Sequence, residues 1–255
     1  MIQTVRKAWG IPELRKKILF TLMILVIYRI GSAIPVPYVN VQLLQQYLDG
    51  MGTTILGLYN VMSGGAFAQA TVFALGIQPY INSSIIIQLL TVAIPALERL
   101  QREGGEEGKK KIQSITRYST VAIAFLQALG YYYIMKRYGI LNQDNIWVAL
   151  VIMVSWVAGS SFLMWLGEQC NEFGVGNGIS MILMAGIISR VPTMVSQMYA
   201  GMRTGTMPWW AVLLIVVGVL ALIVLIVFVN DAERRIPVQY AKRQVGRKMY
   251  GGQSS

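Results

Sequence analysis

Four aliphatic side chains form two pairs whose members lie four residues apart. Ile81 and Ile85 make one pair, and Leu183 and Ile187 make the other, shortly after the glycine-rich stretch Gly174–Gly178. Residues at positions i and i+4 share one face of a helix, so ordinary core packing is the first interpretation. A hydrophobic gate is the second interpretation, because a ring of aliphatic side chains closes a pore to small ions by dewetting.

Groups that could perform catalysis or bind a metal are scarce. The sequence has no histidine, which excludes Ser-His and Cys-His nucleophile pairs and histidine metal sites. Its single cysteine, Cys170, allows no internal disulfide. Gly174–Gly178 lacks the spacing of a phosphate-binding loop, so we interpret it as the flexible start of a short helix capped by Asn177. We predict no enzymatic activity and no cofactor or metal site.

The composition is that of an integral helical membrane protein. Of the 255 residues, 55% are apolar and only 13% are charged, whereas about 25% of residues in soluble domains are charged. Trp209–Val229 and Ile146–Gly167 contain no charge over 21 and 22 residues, and about 20 residues suffice to cross a bilayer as a helix. We predict an all-α fold with six transmembrane spans, at about 18–34, 78–94, 119–135, 146–167, 179–195 and 209–229.

The first span has an alternative interpretation. The basic N-terminus, residues 1–17, and the apolar run after it resemble a signal peptide, and Gly31-Ser32-Ala33 resembles a cleavage site. Arg29 interrupts the run just before that site, and further spans follow, so we favour a retained transmembrane helix.

The stretch Gly50–Leu97 contains 48 residues without a charge, about twice the length that one crossing needs. Ser63-Gly64-Gly65 interrupts it, and Pro79 suits the first turn of a new helix. We predict a short helix over about 55–70 and then the second span. Irregular backbone at membrane depth must line a cavity or be covered by protein, although an ordinary re-entrant or surface loop is the alternative.

Lysine and arginine are divided unequally between the predicted loops. Of the 22, 17 lie in the N-terminus, around a polar loop expected over Leu100–Arg117, and in the basic tail 231–255. Four lie on the other side. The positive-inside rule therefore places both termini in the cytoplasm.

Polar groups inside the predicted spans are almost all neutral. Arg29 is the exception, close enough to the end of its helix to reach the interface. The neutral groups are Gln78, Asn82, Ser83, Ser84, Gln88 and Gln127. A secondary transporter or solute channel, the alternative class that uses broken helices, is expected to bury a charged site along its path.

Six motifs taken together resemble the SecY family, the large subunits of bacterial protein-translocation channels. They are RIGSAIPVP at 29–37, SGGA at 63–66, FALGIQPYINSSIIIQLL at 73–90, WLGEQ at 165–169, GNGIS at 176–180 and YAKRQVGR at 240–247. The family has ten spans in two inverted halves, and this chain has six predicted spans. The resemblance therefore implies part of a longer or split subunit.

The resemblance implies a role for most of the residues above. The two aliphatic pairs would form the constriction ring of the pore. The segment 57–70 would be the plug, containing Ser63, Gly64, Gly65 and Ala66. Helices 78–94 and 119–135 would line one side of the lateral gate. The gate residues would be Asn82, Ser84, Gln88 and Gln127.

The resemblance also implies partners. The ribosome or the motor ATPase SecA would dock on basic residues of the cytoplasmic loops. These are Lys109, Lys110, Lys111, Arg234, Arg235, Lys242, Arg243, Arg247 and Lys248. Further implied partners are SecE, SecG, signal sequences, translocating polypeptides and the lipids of the cytoplasmic (inner) membrane. The implied function is to pass unfolded secretory polypeptides across this membrane and to release membrane proteins laterally into it.

Overall fold

The structure, a computed structural model, describes residues 10–50, 55–233, 243–245 and 248–250. The described elements are helical except for one short hairpin. The helices are α1 (Pro12–Gly31), α2 (Val41–Asp49), α3 (Ile55–Met62), α4 (Gln78–Ala93), α5 (Pro95–Arg102), α6 (Gly105–Arg137), α7 (Ile146–Phe173), α8 (Gly178–Ile188), α9 (Val191–Arg203) and α10 (Trp209–Asn230). Strands β1 (Arg243–Val245) and β2 (Lys248–Tyr250) pair antiparallel, with Val245 opposite Lys248. The chain divides into two compact units, residues 1–192 and 193–255.

Three stretches in the described part of the chain are long and apolar enough to cross a membrane. They are α7, α8 together with α9, and α10. A fourth arises if α4 and α5 count as one span, although α5 is bent by 100° from α4. The fold is therefore that of a multi-pass helical membrane protein, and the count of six spans stays a prediction. α1 falls short because Arg15, Lys16 and Lys17 lie within it.

The prediction of a polar loop over 100–117 is wrong, because almost all of these residues are helical. Only residues 103 and 104 separate α5 from α6, and α6 then continues for 33 residues. At 1.5 Å per residue α6 is about 50 Å long, well beyond the roughly 30 Å hydrocarbon core. Charged residues marked this stretch as polar, but lysine and glutamate are good helix formers and do not end a helix.

The short helix predicted over 55–70 ends at Met62. Gly64 and Gly65 follow it with φ angles of +65° and +88°, which a right-handed helix does not allow. Residues 63–77 are turns, and most of their side chains are buried. The second predicted span, 78–94, agrees with α4 to one residue at its C-terminal end. Ile94 is extended because it precedes Pro95.

The first core cluster of the unit 1–192 encloses the turn segment 63–77. Trp156 of α7 is fully buried there, with Phe67 and Leu75 of the turn segment and Ala124 and Ala128 of α6. Leu44 and Leu48 of α2 and Ile140 close the cluster on its other sides.

Two backbone contacts hold the turn segment against its neighbours. Residues 34–36 pair with residues 70–72, through bonds from Val36 N to Ala70 O at 2.9 Å and from Val72 N to Ile34 O at 3.0 Å. Gly159 of α7 lies against the carbonyl oxygen of Val72, in space that any larger residue would fill. The irregular backbone is thus covered by protein, as membrane depth requires.

Candidate functional site

In each aliphatic pair, one residue packs against the protein core and the other is half exposed. Ile81 of α4 and Leu183 of α8 both pack against the second core cluster, whose buried members include Ile24, Leu163 and Ile182. The other members are half exposed, Ile85 at 52% and Ile187 at 47%. α4 and α8 therefore pack against the same cluster, and one isoleucine of each helix lies outside it. The prediction that all four residues face one pore stays a prediction.

A small cavity lies where the ring and plug residues come together. Its lining includes Leu183 of the predicted ring, Ser63 of the predicted plug, Tyr59 of α3 and Gln78 of α4. Its volume is about 10 Å³, which is the space of roughly one water molecule. Of the predicted ring residues, only Leu183 lines it.

The predicted plug residues Ser63–Ala66 form a hydrogen-bonded turn at the end of α3. Ser63 Oγ donates to Asn60 O at 3.1 Å and accepts from Phe67 N at 3.2 Å. Asn60 Oδ1 accepts from Ala68 N at 3.0 Å. Sequence reasoning missed Asn60, although an asparagine shortly before a Ser-Gly-Gly turn is a signal for such capping.

The same turn contacts α1 and α8. Tyr28 Oη of α1 donates to Ser63 O at 3.3 Å. A Cβ atom on Gly64 would lie 2.8 Å from the carbonyl oxygen of Gly186 and 3.0 Å from Ser189 Oγ. The turn predicted to be the plug therefore lies directly against the helix that carries Leu183 and Ile187.

The two helices predicted to line the gate pack closely against each other. Ser83 Oγ of α4 donates to Thr116 O of α6 at 2.9 Å, and both residues are buried. Four buried residues of each helix follow one another at intervals of four. They are Pro79, Ser83, Ile87 and Thr91 on α4, and Thr116, Thr120, Ala124 and Ala128 on α6. Ser83 and Thr116 are small residues, which let two helices in a membrane approach closely.

Of the predicted gate residues, Asn82 and Ser84 flank Ser83 on α4, whereas Gln127 lies eleven residues after Thr116 on α6. Asn82 and Ser84 are half buried and Gln88 is exposed. Gln127 Oε1 is buried and has no hydrogen-bond partner among the described residues. Neutral polar groups of this kind are less costly to separate than charges.

Sequence reasoning missed one buried carboxylate, that of Glu168. Its side chain is 9% exposed and binds Arg117 twice, with Oε2 2.8 Å from Nη2 and Oε1 2.9 Å from Nε. Gln113 Nε2 donates to Oε1 at 3.2 Å. The carboxylate raises the pKa of Arg117 above its ordinary value, chiefly by this hydrogen bond. The fourth span was predicted to end at Gly167, but α7 continues to Phe173. Glu168 follows the buried Met164 by four residues and therefore lies on the same buried face of the helix.

A second ion pair joins the far end of α6 to the connection before α7. Lys136 Nζ lies 3.0 Å from Asp144 Oδ2, and Tyr132 Oη donates to Asp144 Oδ1 at 3.2 Å. The lysine lowers the pKa of Asp144, and the carboxylate raises the pKa of Lys136. Both groups are about half exposed, so the pair serves to orient the connection more than to stabilise the fold.

A comparison with known protein families shows which family the chain belongs to. Residues 71–255 match the model of the SecY family. The chain belongs to the SecY family.

Individual relatives agree with this membership. The protein translocase subunit SecY of Aquifex aeolicus is 41% identical over 261 residues, covering 100% of this chain and 61% of the relative. The Escherichia coli K12 protein of the same name is 42% identical over 250 residues, covering 96% of this chain and 56% of the relative. The chain thus spans little more than half the length of these SecY relatives.

Solved channel structures share the fold. A structure described as a protein-conducting channel matches with a TM-score of 0.62 at 17% identity, over 97% of this chain and 56% of that one. A SecY structure, described by its plug domain stabilising the closed state, matches with a TM-score of 0.54 at 20% identity and the same coverages.

The basic residues assigned to docking in this SecY-family chain are described only in part. Lys109, Lys110 and Lys111 are exposed on the first turns of α6. Arg234, Arg235, Lys242 and Arg247 lie outside the described residues. Arg243 and Lys248 lie in β1 and β2, a hairpin that the predicted loop did not include. Within the described ranges, no group of three acidic, cysteine or histidine residues could hold a metal ion.

Proposed function

We propose that this chain supplies the ring, the plug and one wall of the lateral gate of a protein-conducting channel. The channel passes unfolded polypeptides across the cytoplasmic membrane and releases membrane proteins laterally. The observation that carries the proposal is the packing of Ile81 of α4 and Leu183 of α8 against one core cluster. Ile85 and Ile187 of the same helices are half exposed. The relatives named as SecY translocase subunits support it.

An apolar ring suits the proposed substrate. A polypeptide of any sequence must cross, so a fixed charge in the path would retain some substrates by ion pairing. Aliphatic side chains close around a chain of varying width and exclude ions when it is absent. Signal sequences, being apolar helices, would favour the open gate by binding it preferentially.

The same proposal sets orientation and partners. Both termini lie in the cytoplasm, which the unequal distribution of lysine and arginine supports. SecA or the ribosome docks on the exposed Lys109–Lys111 and on the basic tail. SecE and SecG complete the complex in the inner membrane, and the chain itself performs no catalysis and holds no cofactor. The buried charge of Glu168 is not the midplane site that a transporter would need. Arg117 pairs with it, and it lies only five residues from the end of α7.

Conductance of the full-length channel complex tests the ring. Ile85→Ser with Ile187→Ser should make the ring polar, admit water and raise the resting ion leak. The matched control is Ile86→Ser with Ile188→Ser, since these neighbours are similarly exposed but point about 100° away on each helix. Crosslinks from positions 85 and 187 should reach a stalled translocating chain. Equal leak from both double variants, with crosslinks only to lipid, would place the pore elsewhere.

A further inference from the structure

The predicted plug and α8 touch backbone to backbone, where Gly64 meets Gly186. A Cβ atom on Gly64 would lie 2.8 Å from Gly186 O and 3.0 Å from Gly186 Cα. A Cβ atom on Gly186 would lie 3.0 Å from Met62 O and 3.0 Å from Tyr28 Oη. A Cβ atom on Gly64 would lie too close to backbone, and Gly64 has a φ of +65°, so this position favours glycine. On Gly186, even a methyl group would require its neighbours to shift by a few tenths of an ångström.

Side chains of α1 and of the turn after α8 enclose this contact. Tyr28 Oη holds Ser63 O from one side. From the other, the Arg190 guanidinium occupies the space that a side chain on Gly65 would fill, with Nη2 3.0 Å from the position of its Cβ atom. Gly65 also has a φ of +88°, so a substitution there would be strained as well as crowded.

The position of Gly186 along α8 connects the contact to the ring. Gly186 directly precedes Ile187 and follows Leu183 by three residues, which is about 4.5 Å along the axis. α8 is a continuous helix from Gly178 to Ile188, capped at its start by Asn177 Oδ1. A displacement of α8 therefore moves the two ring residues and Gly186 together.

We propose that Gly186 is a positioning residue that couples the α8 half of the ring to the plug. The inference rests on the proposed function and adds a mechanism to it. Because the contact is formed by backbone atoms, no change of side-chain rotamer can keep it when α8 moves outward. Widening of the ring on the α8 side and release of the plug turn are then one event, and the closed plug in turn holds α8 inward.

Substitution of Gly186 in the full-length channel complex tests the coupling. Gly186→Leu should push the plug turn away and raise the resting conductance by roughly 5- to 150-fold, the range expected when a close contact is overpacked. Gly186→Ala should give a smaller rise, because its neighbours need to shift by only a few tenths of an ångström. Gly130→Leu is the matched control, since no atom lies within 4 Å of its Cβ position on α6. If Gly186→Leu fails to assemble, Gly186→Ala against Gly130→Ala decides the same question.

A double-mutant cycle separates the coupling from a direct effect on the ring. Gly64→Leu opens the same contact from the plug side, so Gly64→Leu with Gly186→Leu should leak no more than the stronger single variant. Additive leaks would overturn the coupling, as would a Gly186 variant that conducts like its Gly130 control. If the Ile85 and Ile187 serine variants leak while the Gly186 variants do not, the coupling alone is wrong. If all of them stay silent, the proposed function fails.

Discussion

The carboxylate of Glu168 on α7 is bound by both Nη2 and Nε of Arg117 on α6, at 2.8 and 2.9 Å. The pair is unequal, because the side chain of Glu168 is 9% exposed and that of Arg117 is 47% exposed. An unpaired arginine at this place can turn towards water, whereas an unpaired carboxylate stays buried.

This inequality predicts an unequal response to substitution. Arg117→Gln should lower the free energy of unfolding by about 1–3 kcal/mol, because it leaves a buried charge without its ion pair. Glu168→Gln should lower the free energy of unfolding by a smaller amount. The double variant should lower it by less than the sum of the two single variants. Thermal unfolding of the purified protein in detergent would measure this. The surface pair Glu98–Arg102, at 3.3 Å, provides control variants that should change stability by less than about 1 kcal/mol. Equal losses from the two single variants would contradict the assigned burial.

The Lys136–Asp144 pair predicts a pH dependence. The pKa of Asp144 lies below its ordinary value of 3.8, so the pair contributes stability above that value and loses it as pH falls through the lowered pKa. The pKa of Lys136 lies above 10.5, so the contribution also disappears as pH rises through the raised pKa. Asp144→Asn should therefore lower the melting temperature slightly between these limits and not outside them. Asp231→Asn, at an exposed carboxylate without an ion pair among the described residues, is the control. A difference between wild type and Asp144→Asn that persists in strong acid would exclude this pair as its source.

Topology can be read from a single engineered thiol. Cys170 itself is unsuitable because it is fully buried. Glu172→Cys in a Cys170→Ala background places a thiol on an exposed position near the end of α7. In sealed right-side-out vesicles, a membrane-impermeant maleimide should label it only after permeabilisation, since the connection before α8 is predicted to be cytoplasmic. Asn142→Cys, in the connection between α6 and α7, should label without permeabilisation. The opposite pattern would reverse the orientation.

Docking on the start of α6 should depend on charge. Reversal of Lys109, Lys110 and Lys111 to glutamate should weaken binding of ribosomes or SecA to the full-length complex and leave membrane insertion intact. Ribosome affinity of the wild type should fall as salt rises, because neutralised phosphates release counterions, and the variant should show a shallower salt dependence. Lys136→Glu, predicted to lie on the opposite side of the membrane, is the control. Unchanged affinity for both partners would remove these lysines from the docking surface.

The sequence predicted those elements whose ends carry strong local signals. Pro79 predicted the start of α4, and Asn177 caps α8 as expected. The prediction failed along the first turns of α6, where charged residues were interpreted as a loop. Composition alone does not distinguish a polar helix from a loop. Glu168 was missed for a related reason. Hydropathy shows only where an apolar run stops, but α7 and its buried face continue beyond that point. The contact between Gly64 and Gly186 could not be predicted at all, since residues so distant in sequence meet only through the packing of whole helices.

The length of α6 has a mechanical consequence. The helix is held near Arg117 by Glu168, and next to it by the bond from Ser83 Oγ to Thr116 O. Lys110 lies seven residues before Arg117, about 10 Å, and Tyr133 lies sixteen residues after it, about 24 Å. A tilt of α6 about Arg117 has unequal arms, because Arg117 lies twelve residues after the start of the helix and twenty before its end. A tilt that moves Lys110 by 1 Å moves the Tyr133 end by about 2.3 Å in the opposite direction, in the ratio of those two arms.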